Sequence, residues 1–249
     1  MKEDEYGLKP YSAYIFDLYG TLVDIHTDEN QPSLWKQMAG FYAVRGAQYA
    51  PRELQQKYND YVREAEEALL RRDREAENVW VEIEVGRVFA RLYEEKGIRT
   101  DGERIAQTAL QFRQASLTHL RLYAGAKELL SSLRQRGRGV YLLSNAQRLF
   151  TAPELEALGL ADCFDGICIS SDEGFKKPDP RFFRCLLERF ALEPGTCLMI
   201  GNDPICDGQG AKKVGIDSWC IRSGISPREL TEGYDQQGMD LRRLLRYLR

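Results

Sequence analysis

The sequence predicts an α/β fold in which a three-layer core with a parallel sheet carries an inserted, all-helical segment. After residue 123, short apolar runs alternate with amphipathic stretches, a pattern typical of β-α-β units whose strands are buried on both faces. From about residue 25 to residue 122 the apolar residues recur instead at helical spacing. With 249 residues, 43% of them hydrophobic, the chain is long enough for one sizeable core and a smaller second domain.

The first elements are a strand and a long helical stretch. The first predicted strand, AYIFD at residues 13–17, is an apolar and aromatic run that stops at Asp17 and the turn residues after it. The pattern is then helical throughout residues 31–122, and polar or turn-forming breaks divide it into several antiparallel helices. These breaks lie near Ala50-Pro51, near Arg72-Asp73 and at residues 97–102.

The second half of the chain alternates between strands and helices. Further strands are predicted at VYLLSN (residues 140–145), GICIS (166–170), CLMIG (197–201) and SWCI (218–221). Helices are predicted before the first of these strands, at residues 180–190 and 208–214, and at the C-terminus from residue 239. The continuous apolar character of these strands favours a parallel sheet.

Composition narrows the environment and the partners. The formal net charge is −3 with both signs scattered along the chain, so neither a nucleic-acid surface nor a polybasic membrane contact is predicted. No apolar run is long enough for a membrane span, and the N-terminal residues show no export signal. The six cysteines include no CxxC pair, which suits free thiols in a reducing cytosol. We therefore expect a cytoplasmic protein with a small-molecule substrate.

Polar side chains that could carry chemistry stand at the ends of the predicted strands. In an open parallel sheet, ligands bind outside the carboxyl ends of the strands, so these positions are the candidates for a site. They are Asp17, then Ser144 and Asn145, then Lys177 before Pro178, and finally Asn202, Asp203 and Asp207. Together they describe an acidic pocket with one positive charge.

Four motifs in the order FDLYGTLVD, LLSN, GFKKPDP and GNDPICDGQGA resemble those of the haloacid dehalogenase superfamily of hydrolases. The resemblance spans nearly the whole chain. It includes the helical insert, which looks like the cap that this family carries between its first and second motifs. The resemblance implies a Rossmann-like catalytic core from residues 1–24 and 123–249 and a helical cap domain from residues 25–122. Because this fold hosts many reactions, the motifs say less about the substrate.

The resemblance also implies roles for individual residues. Asp17 is expected to attack an electrophile and form a covalent ester or acyl-phosphate that water later cleaves. Lys177, which directly precedes the proline, is expected to neutralise charge shared by Asp17 and a bound anion. The substrate contacts implied by the motifs are Gly20, Thr21, Ser144 and Asn145.

The last motif implies a magnesium site. Magnesium prefers oxygen ligands, and the resemblance supplies them from Asp17, the backbone carbonyl of Tyr19, and Asp203 or Asp207. Many relatives have aspartate directly after the glycine of the preceding strand, whereas this chain has Asn202 there. Which of the two later acids binds the metal directly stays open.

Tyr19 is the departure with the largest consequence for mechanism. In phosphatases of this superfamily the residue two after the nucleophile is usually a second aspartate, which acts as acid and base. A tyrosine with an ordinary pKa of about 10 is a poor base at neutral pH. Loss of a positioned acid or base costs roughly 10² to 10⁴ in rate. Asp-x-Tyr-Gly-Thr is also similar to the first motif of L-2-haloacid dehalogenases, whose halide leaves without a proton.

Three functions therefore stay open. The paired acids Asp203 and Asp207 favour a magnesium-dependent phosphatase that acts on a small phosphorylated metabolite through an aspartyl-phosphate. Tyr19 favours a metal-independent dehalogenase, and it also allows a binding or regulatory protein with weakened catalysis. We predict the phosphatase, because a cluster of carboxylates without a cation is costly. The sequence leaves the substrate open, and the protein is expected to be a monomer or a homodimer.

Overall fold

Eight strands form two sheets in the structure, a computed structural model that describes residues 11–72 and 80–248. In chain order they are β1 (Ala13–Phe16), β2 (Val23–Thr27), β3 (Leu117–Leu122), β4 (Gly139–Ser144), β5 (Gly166–Ile169), β6 (Cys197–Gly201), β7 (Asp217–Arg222) and β8 (Gln236–Gln237). The pair β2 and β3 is antiparallel, and the other six strands form one parallel sheet in the order β5-β4-β1-β6-β7-β8.

Helices fill the connections between these strands. They are α1 (Pro32–Ala43), α2 (Pro51–Arg72), α3 (Val85–Glu94), α4 (Gly102–Ser116), α5 (Ala126–Gln135), α6 (Arg148–Ala157), α7 (Ser170–Glu173), α8 (Pro180–Arg189), α9 (Gly210–Lys212) and α10 (Leu241–Tyr247). Helices α1 to α4 all lie between β2 and β3, and we call them the helical insert. The predicted α/β fold with an inserted group of helices is confirmed. Of the predicted breaks, Asp73 lies outside the described residues.

The strand order places a crevice at the end of β1. The chain adds β4 and β5 on one side of β1 and then returns to add β6, β7 and β8 on the other side. At such a reversal the two connections leave the sheet in opposite directions, and the gap between them is where ligands bind in open α/β sheets. The ends of β1, β4 and β6 therefore surround the expected position of a site.

Helices cover both faces of the parallel sheet. Tyr14 and Phe16 of β1 belong to a hydrophobic cluster with residues of α5 and α10, whereas Ala13 and Ile15 belong to a second cluster with residues of α8. Successive side chains of a strand point to opposite faces, so this alternation gives a three-layer core. Burial on both faces accounts for the nearly continuous apolar runs in the strand sequences.

The helical insert has a hydrophobic core of its own, rich in aromatic residues. Trp35, Tyr58, Phe89 and Phe112 are buried there, and their rings contact one another at centroid distances of 5.2 to 5.9 Å. Phe150 of α6 joins this cluster by stacking on Phe112 at 6.0 Å. The insert therefore packs on the parallel-sheet core through α4 and α6.

A side chain from outside the helical insert accepts a hydrogen bond at the start of α3. Gln147, just before α6, accepts a hydrogen bond from the backbone N–H of Val85 at 2.9 Å through Oε1. Its Nε2 donates to the carbonyl of Ile83 at 2.8 Å. The first N–H groups of a helix have no partner within the helix, so a side chain that accepts from one of them stabilises that end. The start of helix α3 is thus stabilised by Gln147, a residue outside the helical insert.

The prediction of helix throughout residues 31–122 is wrong at its end. Helix α4 stops at Ser116, and Leu117–Leu122 form β3 instead. This segment pairs with β2, a strand that the sequence pattern did not indicate, in a register that places His119 opposite His26. Backbone pairing with a segment distant in the chain decides the structure here, and short apolar patterns do not encode it.

Two structural findings bear on the expectations about the protein's environment. All six cysteines are free thiols. Across residues 11–72 and 80–248, none of the helices combines the length and the apolar character needed to cross a bilayer.

Candidate active site

A buried lysine joins two carboxylates at the end of the sheet. Lys177 Nζ donates to Asp17 Oδ1 and to Asp207 Oδ1, both at 2.7 Å, and to the carbonyl oxygen of Leu143 at 2.8 Å. Burial alone would lower the pKa of Lys177, but the charges of Asp17 and Asp207 outweigh it and raise that pKa above its usual range. The ammonium group therefore stays charged, with each of its three N–H donors in use.

Asp207 has partners for both of its oxygens. Besides Lys177, it accepts hydrogen bonds at Oδ2 from the backbone N–H groups of Asn202 and Asp203, both at 3.0 Å. Burial, together with the nearby charge of Asp17, raises the pKa of Asp207 to about 6 even though Lys177 opposes the shift. Asp207 thus holds Lys177 and the loop after β6 in place.

Asp203 fixes the start of the next helical turn. Its Oδ1 accepts from the backbone N–H groups of Ile205 at 2.8 Å and Cys206 at 2.9 Å. Within residues 11–72 and 80–248 there is no ready cluster of three His, Cys, Asp or Glu side chains for a metal ion. A cation bound here would therefore use other oxygens as well.

Oxygen atoms of a different kind converge beside Asp17. One terminal atom of the Asn202 amide lies 3.2 Å from the Tyr19 carbonyl oxygen and 3.3 Å from Asp17 Oδ2. With nitrogen at that position the amide donates to both oxygens. The contacts favour nitrogen there. The oxygens of Asp17 and of the Tyr19 carbonyl fit a magnesium ion, and Asn202 would add an amide oxygen only in the orientation that turns its oxygen towards them.

Thr21 and Gly20 shape this group of oxygens. Thr21 Oγ1 lies 3.2 Å from Asp17 Oδ2 and 3.3 Å from Asn202 Oδ1, so its hydroxyl orients the Asp17 carboxylate. Gly20 has φ of +87°, and a Cβ there would lie 2.4 Å from the Asn202 amide nitrogen. Only glycine combines this backbone conformation with so close an approach.

Gly20→Ala is expected to lower the free energy of unfolding by about 2 to 3 kcal/mol and to displace Asn202, because it adds both backbone strain and a clash. Denaturant unfolding measures the first effect. Gly97→Ala is the matched control, since Gly97 has φ of +75° with open space around it and isolates the strain. Equal losses in the two variants would contradict the close packing on Asn202.

The two residues at the end of β4, Ser144 and Asn145, differ in their hydrogen bonding. Ser144 is fully buried, and its hydroxyl has no hydrogen-bond partner in the described part of the chain. An unpaired buried hydroxyl is costly, so this donor is available for a ligand. The side chain of Asn145 is occupied: it donates to the Lys177 carbonyl at 3.0 Å and accepts from the Lys177 N–H at 2.8 Å. Asn145 therefore fixes the segment that carries Lys177.

The Tyr19 hydroxyl points into a buried ion pair between the helical insert and the core. It donates to Glu154 of α6 and lies 3.1 Å from Thr151 Oγ1. Arg113 of α4 donates to Glu154 from Nε at 2.5 Å. Burial first, and then the charge of Glu154, raises the pKa of Tyr19 well above its ordinary value. The hydroxyl is therefore protonated at neutral pH and is held in place by Thr151 and Glu154 of α6.

Sequence reasoning did not find Arg113 or Glu154, since neither stands in a motif or at a strand end. Arg113→Met is expected to lower the free energy of unfolding by roughly 3 kcal/mol, because it leaves Glu154 buried without its charge partner. The control is Arg87→Met, which breaks an exposed pair with Glu84 and should cost less than about 1 kcal/mol. If urea unfolding shows similar losses of unfolding free energy for the two variants, the buried pair contributes no more to stability than the exposed one.

A cavity of about 250 Å³ opens over these groups. Its lining consists of Asp17, Tyr19, Asn145, Lys177, Asn202, Asp203, Cys206, Asp207, Ile225 and Pro227. The structure thus brings together the predicted residues from all four motifs. A carboxylate at a strand end, a buried cation and a set of convergent oxygens are groups that can attack a phosphorus centre and stabilise its anionic oxygens.

The fold and the site define the class as an α/β protein with an aspartate at the end of its central strand and a buried lysine beside it. A family model of haloacid dehalogenase-like hydrolases matches residues 11–215. The chain therefore belongs to the haloacid dehalogenase-like hydrolases, which confirms the family that the motifs indicated.

Named relatives of this chain include phosphatases. It is 33% identical over 156 residues to a phosphoserine phosphatase of Thermus thermophilus, a match that covers 63% of this chain and 61% of the relative. It is 28% identical over 120 residues to a glyceraldehyde 3-phosphate phosphatase of Pyrococcus furiosus, covering 48% of this chain and 50% of the relative. The chain thus spans less than two thirds of these relatives.

Solved structures share the whole fold. A haloacid dehalogenase-like phosphatase from Thermococcus onnurineus superposes with a TM-score of 0.56 at 18% identity, covering 94% of this chain and 97% of that one. At this identity the likeness shows the fold alone.

Proposed function

We propose that the protein is a magnesium-dependent phosphatase that hydrolyses small phosphate monoesters through an aspartyl-phosphate on Asp17. The observation that carries the proposal is the buried lysine that bridges Asp17 and Asp207 at 2.7 Å, beside an unpaired buried hydroxyl on Ser144. A fixed cation and an unused donor next to a carboxylate suit a bound anion. The relatives named for small phosphate esters support the same reaction class.

In this mechanism a carboxylate oxygen of Asp17 attacks phosphorus, and the bond from phosphorus to the leaving oxygen breaks. Lys177 reduces the repulsion between the carboxylate and the anionic phosphoryl group. The hydroxyl of Ser144 and the backbone N–H of Asn145 donate to phosphoryl oxygens. Water then hydrolyses the aspartyl-phosphate and regenerates the free carboxylate.

Magnesium would be held by Asp17, the Tyr19 carbonyl and Asn202, with Asp203 as the acid nearest to completing the set, and it would supply further positive charge to the phosphoryl oxygens. In this proposal Asp207, predicted as a metal ligand, acts by holding Lys177 and two backbone N–H groups. Because Asn202 is neutral where a carboxylate is usual, the ion would be bound more weakly than by an all-acid site.

Asn202→Asp is expected to tighten magnesium binding by roughly tenfold, since it adds a negative charge to the oxygen set. Isothermal titration calorimetry of the free protein measures this without any turnover. Asp203→Asn is the companion variant, and it should change the dissociation constant less, by about threefold. If binding is lost with Asp203→Asn and unchanged with Asn202→Asp, Asp203 is the direct ligand and the assignment of Asn202 is wrong.

The dehalogenase alternative would need a side chain that binds the leaving halide. Trp35 and Arg45 of the helical insert are the side chains that could supply such a contact. Trp35 is buried in the core of the insert, where its Nε1 donates to the Glu29 carbonyl at 2.8 Å. The Arg45 guanidinium lies 3.5 Å from the centroid of the Phe41 ring. Neither residue lines the cavity, so the phosphatase is the better supported function.

The test is phosphate release from p-nitrophenyl phosphate with and without magnesium. This substrate suits the site because p-nitrophenolate leaves without needing a proton, and Tyr19 offers no strong acid or base. Magnesium-dependent release supports the proposal. Halide release from 2-chloropropionate without metal, in the absence of phosphatase activity, would replace it with the dehalogenase, and inactivity towards both would support a binding protein.

We further propose that residues 25–122 act as a cap over the site and that the protein works in a reducing cytosol. The first rests on the buried contact of Arg113 with Glu154 of α6, a residue that also accepts a hydrogen bond from Tyr19 in the loop after β1. The second rests on the six free thiols.

A further inference from the structure

The part of the cavity wall that does not belong to the catalytic set carries no charge. It consists of the ring of Tyr19, the thiol of Cys206, and the side chains of Ile225 and Pro227. The organic part of a bound ester therefore meets an uncharged surface.

Ile225 is fixed in this wall by its neighbours. Ser226 donates through Oγ to the carbonyl of Asn202 at 2.8 Å and accepts at Oγ from the N–H of Ser223 at 2.9 Å, which ties the loop after β7 to the site. The Ile225 side chain reaches Gly20 so closely that a Cβ on Gly20 would lie 2.8 Å from its Cγ1. Ile225 is nevertheless 42% exposed, and it lines the cavity.

The charges in the cavity leave no cation for a second anionic group. Lys177 is the single Lys or Arg among the described residues that line it, and its three donors are already bonded. Three carboxylates line the same space, from Asp17, Asp203 and Asp207. A carboxylate on the leaving group would lose water against Ile225 and Pro227, and no Lys or Arg side chain of the described lining is left to pair with it.

We infer that the site selects phosphate monoesters of uncharged alcohols and that Ile225 and Pro227 are the residues that exclude a leaving group with a carboxylate. The inference rests on the proposed phosphatase function and adds the substrate class. A neutral alcohol with a hydrocarbon chain packs on the apolar wall, whereas its acid counterpart does not.

The experiment compares two esters with the same three-carbon chain, glycerol 3-phosphate and 3-phosphoglycerate, which differ by a hydroxymethyl group in place of a carboxylate. We expect kcat/KM to be at least tenfold higher for glycerol 3-phosphate. If both turn over too slowly, their competition with p-nitrophenyl phosphate gives the same ratio as inhibition constants. Equal kcat/KM values for the two esters, or a higher value for 3-phosphoglycerate, would overturn the inference. Hydrolysis of p-nitrophenyl phosphate would then still support the proposed phosphatase function. No hydrolysis of any ester would instead sink the proposed function.

Variants locate the selectivity. Ile225→Arg places a cation in the wall and is expected to lower the preference for the neutral ester at least tenfold. Pro227→Arg provides the same test at a second position if the first variant does not fold. Ile205→Arg is the matched control, because Ile205 is also an exposed isoleucine near the site but does not line the cavity. A change of the same size in the control would show a general effect of charge and would contradict the role of Ile225.

Discussion

Asp17→Asn is expected to reduce hydrolysis of p-nitrophenyl phosphate by roughly 10⁴-fold or more, the order of loss that follows removal of a covalent nucleophile. An amide does not attack phosphorus as a carboxylate does, while Lys177 and the hydroxyl of Thr21 can still contact it. The variant should therefore fold and still bind phosphate. Phosphate release under saturating magnesium measures the loss, and treatment of the wild type with hydroxylamine during turnover detects the aspartyl-phosphate.

The matched control for this variant is Asp162→Asn, an exposed aspartate far from the cavity lining. It should keep the rate of the wild type. A rate for Asp17→Asn within tenfold of the wild type would contradict covalent catalysis at Asp17. Loss of activity with a wild-type level of hydroxylamine-sensitive phosphate would place the nucleophile elsewhere.

Lys177→Met is expected to lower the free energy of unfolding by about 3 to 5 kcal/mol and to abolish turnover. Removal of one partner from a buried ionic group leaves the others uncompensated, and here two carboxylates, Asp17 and Asp207, would face each other without their shared cation. Methionine keeps much of the length and the apolar stem of the lysine, so packing changes little. Urea unfolding, followed by tryptophan fluorescence, measures the stability.

Lys176→Met is the control for this prediction, since it removes the neighbouring lysine, which is only partly buried. It should change the stability by less than about 0.5 kcal/mol. A second variant, Lys177→Met combined with Asp207→Asn, should recover part of the loss, because it removes one of the two facing charges. If Lys177→Met is as stable as the wild type, the lysine does not compensate the acids as its contacts indicate.

Much of the fold and the centre of the site could be predicted because both depend on local patterns. The strands of the parallel sheet are short apolar runs that end at polar residues, so Asp17 and Ser144 were placed at strand ends from the sequence alone. Parallel strands bring those ends to one edge, and Lys177 was placed there by its motif. The structure brings Asp17 and Lys177 together in the lining of one cavity, whereas Ser144 is fully buried and does not belong to that lining.

The rest depends on partners that are remote in the chain. Leu117–Leu122 becomes a strand only because β2 is there to pair with it. Glu154 meets Tyr19 only when α6 packs under the helical insert, and no local pattern announces that contact. Asn202 could have been suspected, since it directly follows the glycine that ends β6, but its oxygen partners come from the loop after β1.

The bond from Val85 to Gln147 has a consequence for how the protein unfolds. Because α3 receives one of its first acceptors from outside the helical insert, separation of the two parts leaves a helix end unsatisfied, a loss of about 1 kcal/mol for such a group. The stacking of Phe112 on Phe150 and the buried pair at Glu154 add to that coupling. We therefore expect the helical insert to draw part of its stability from the rest of the protein, and the two parts to unfold in one cooperative transition rather than as independent units.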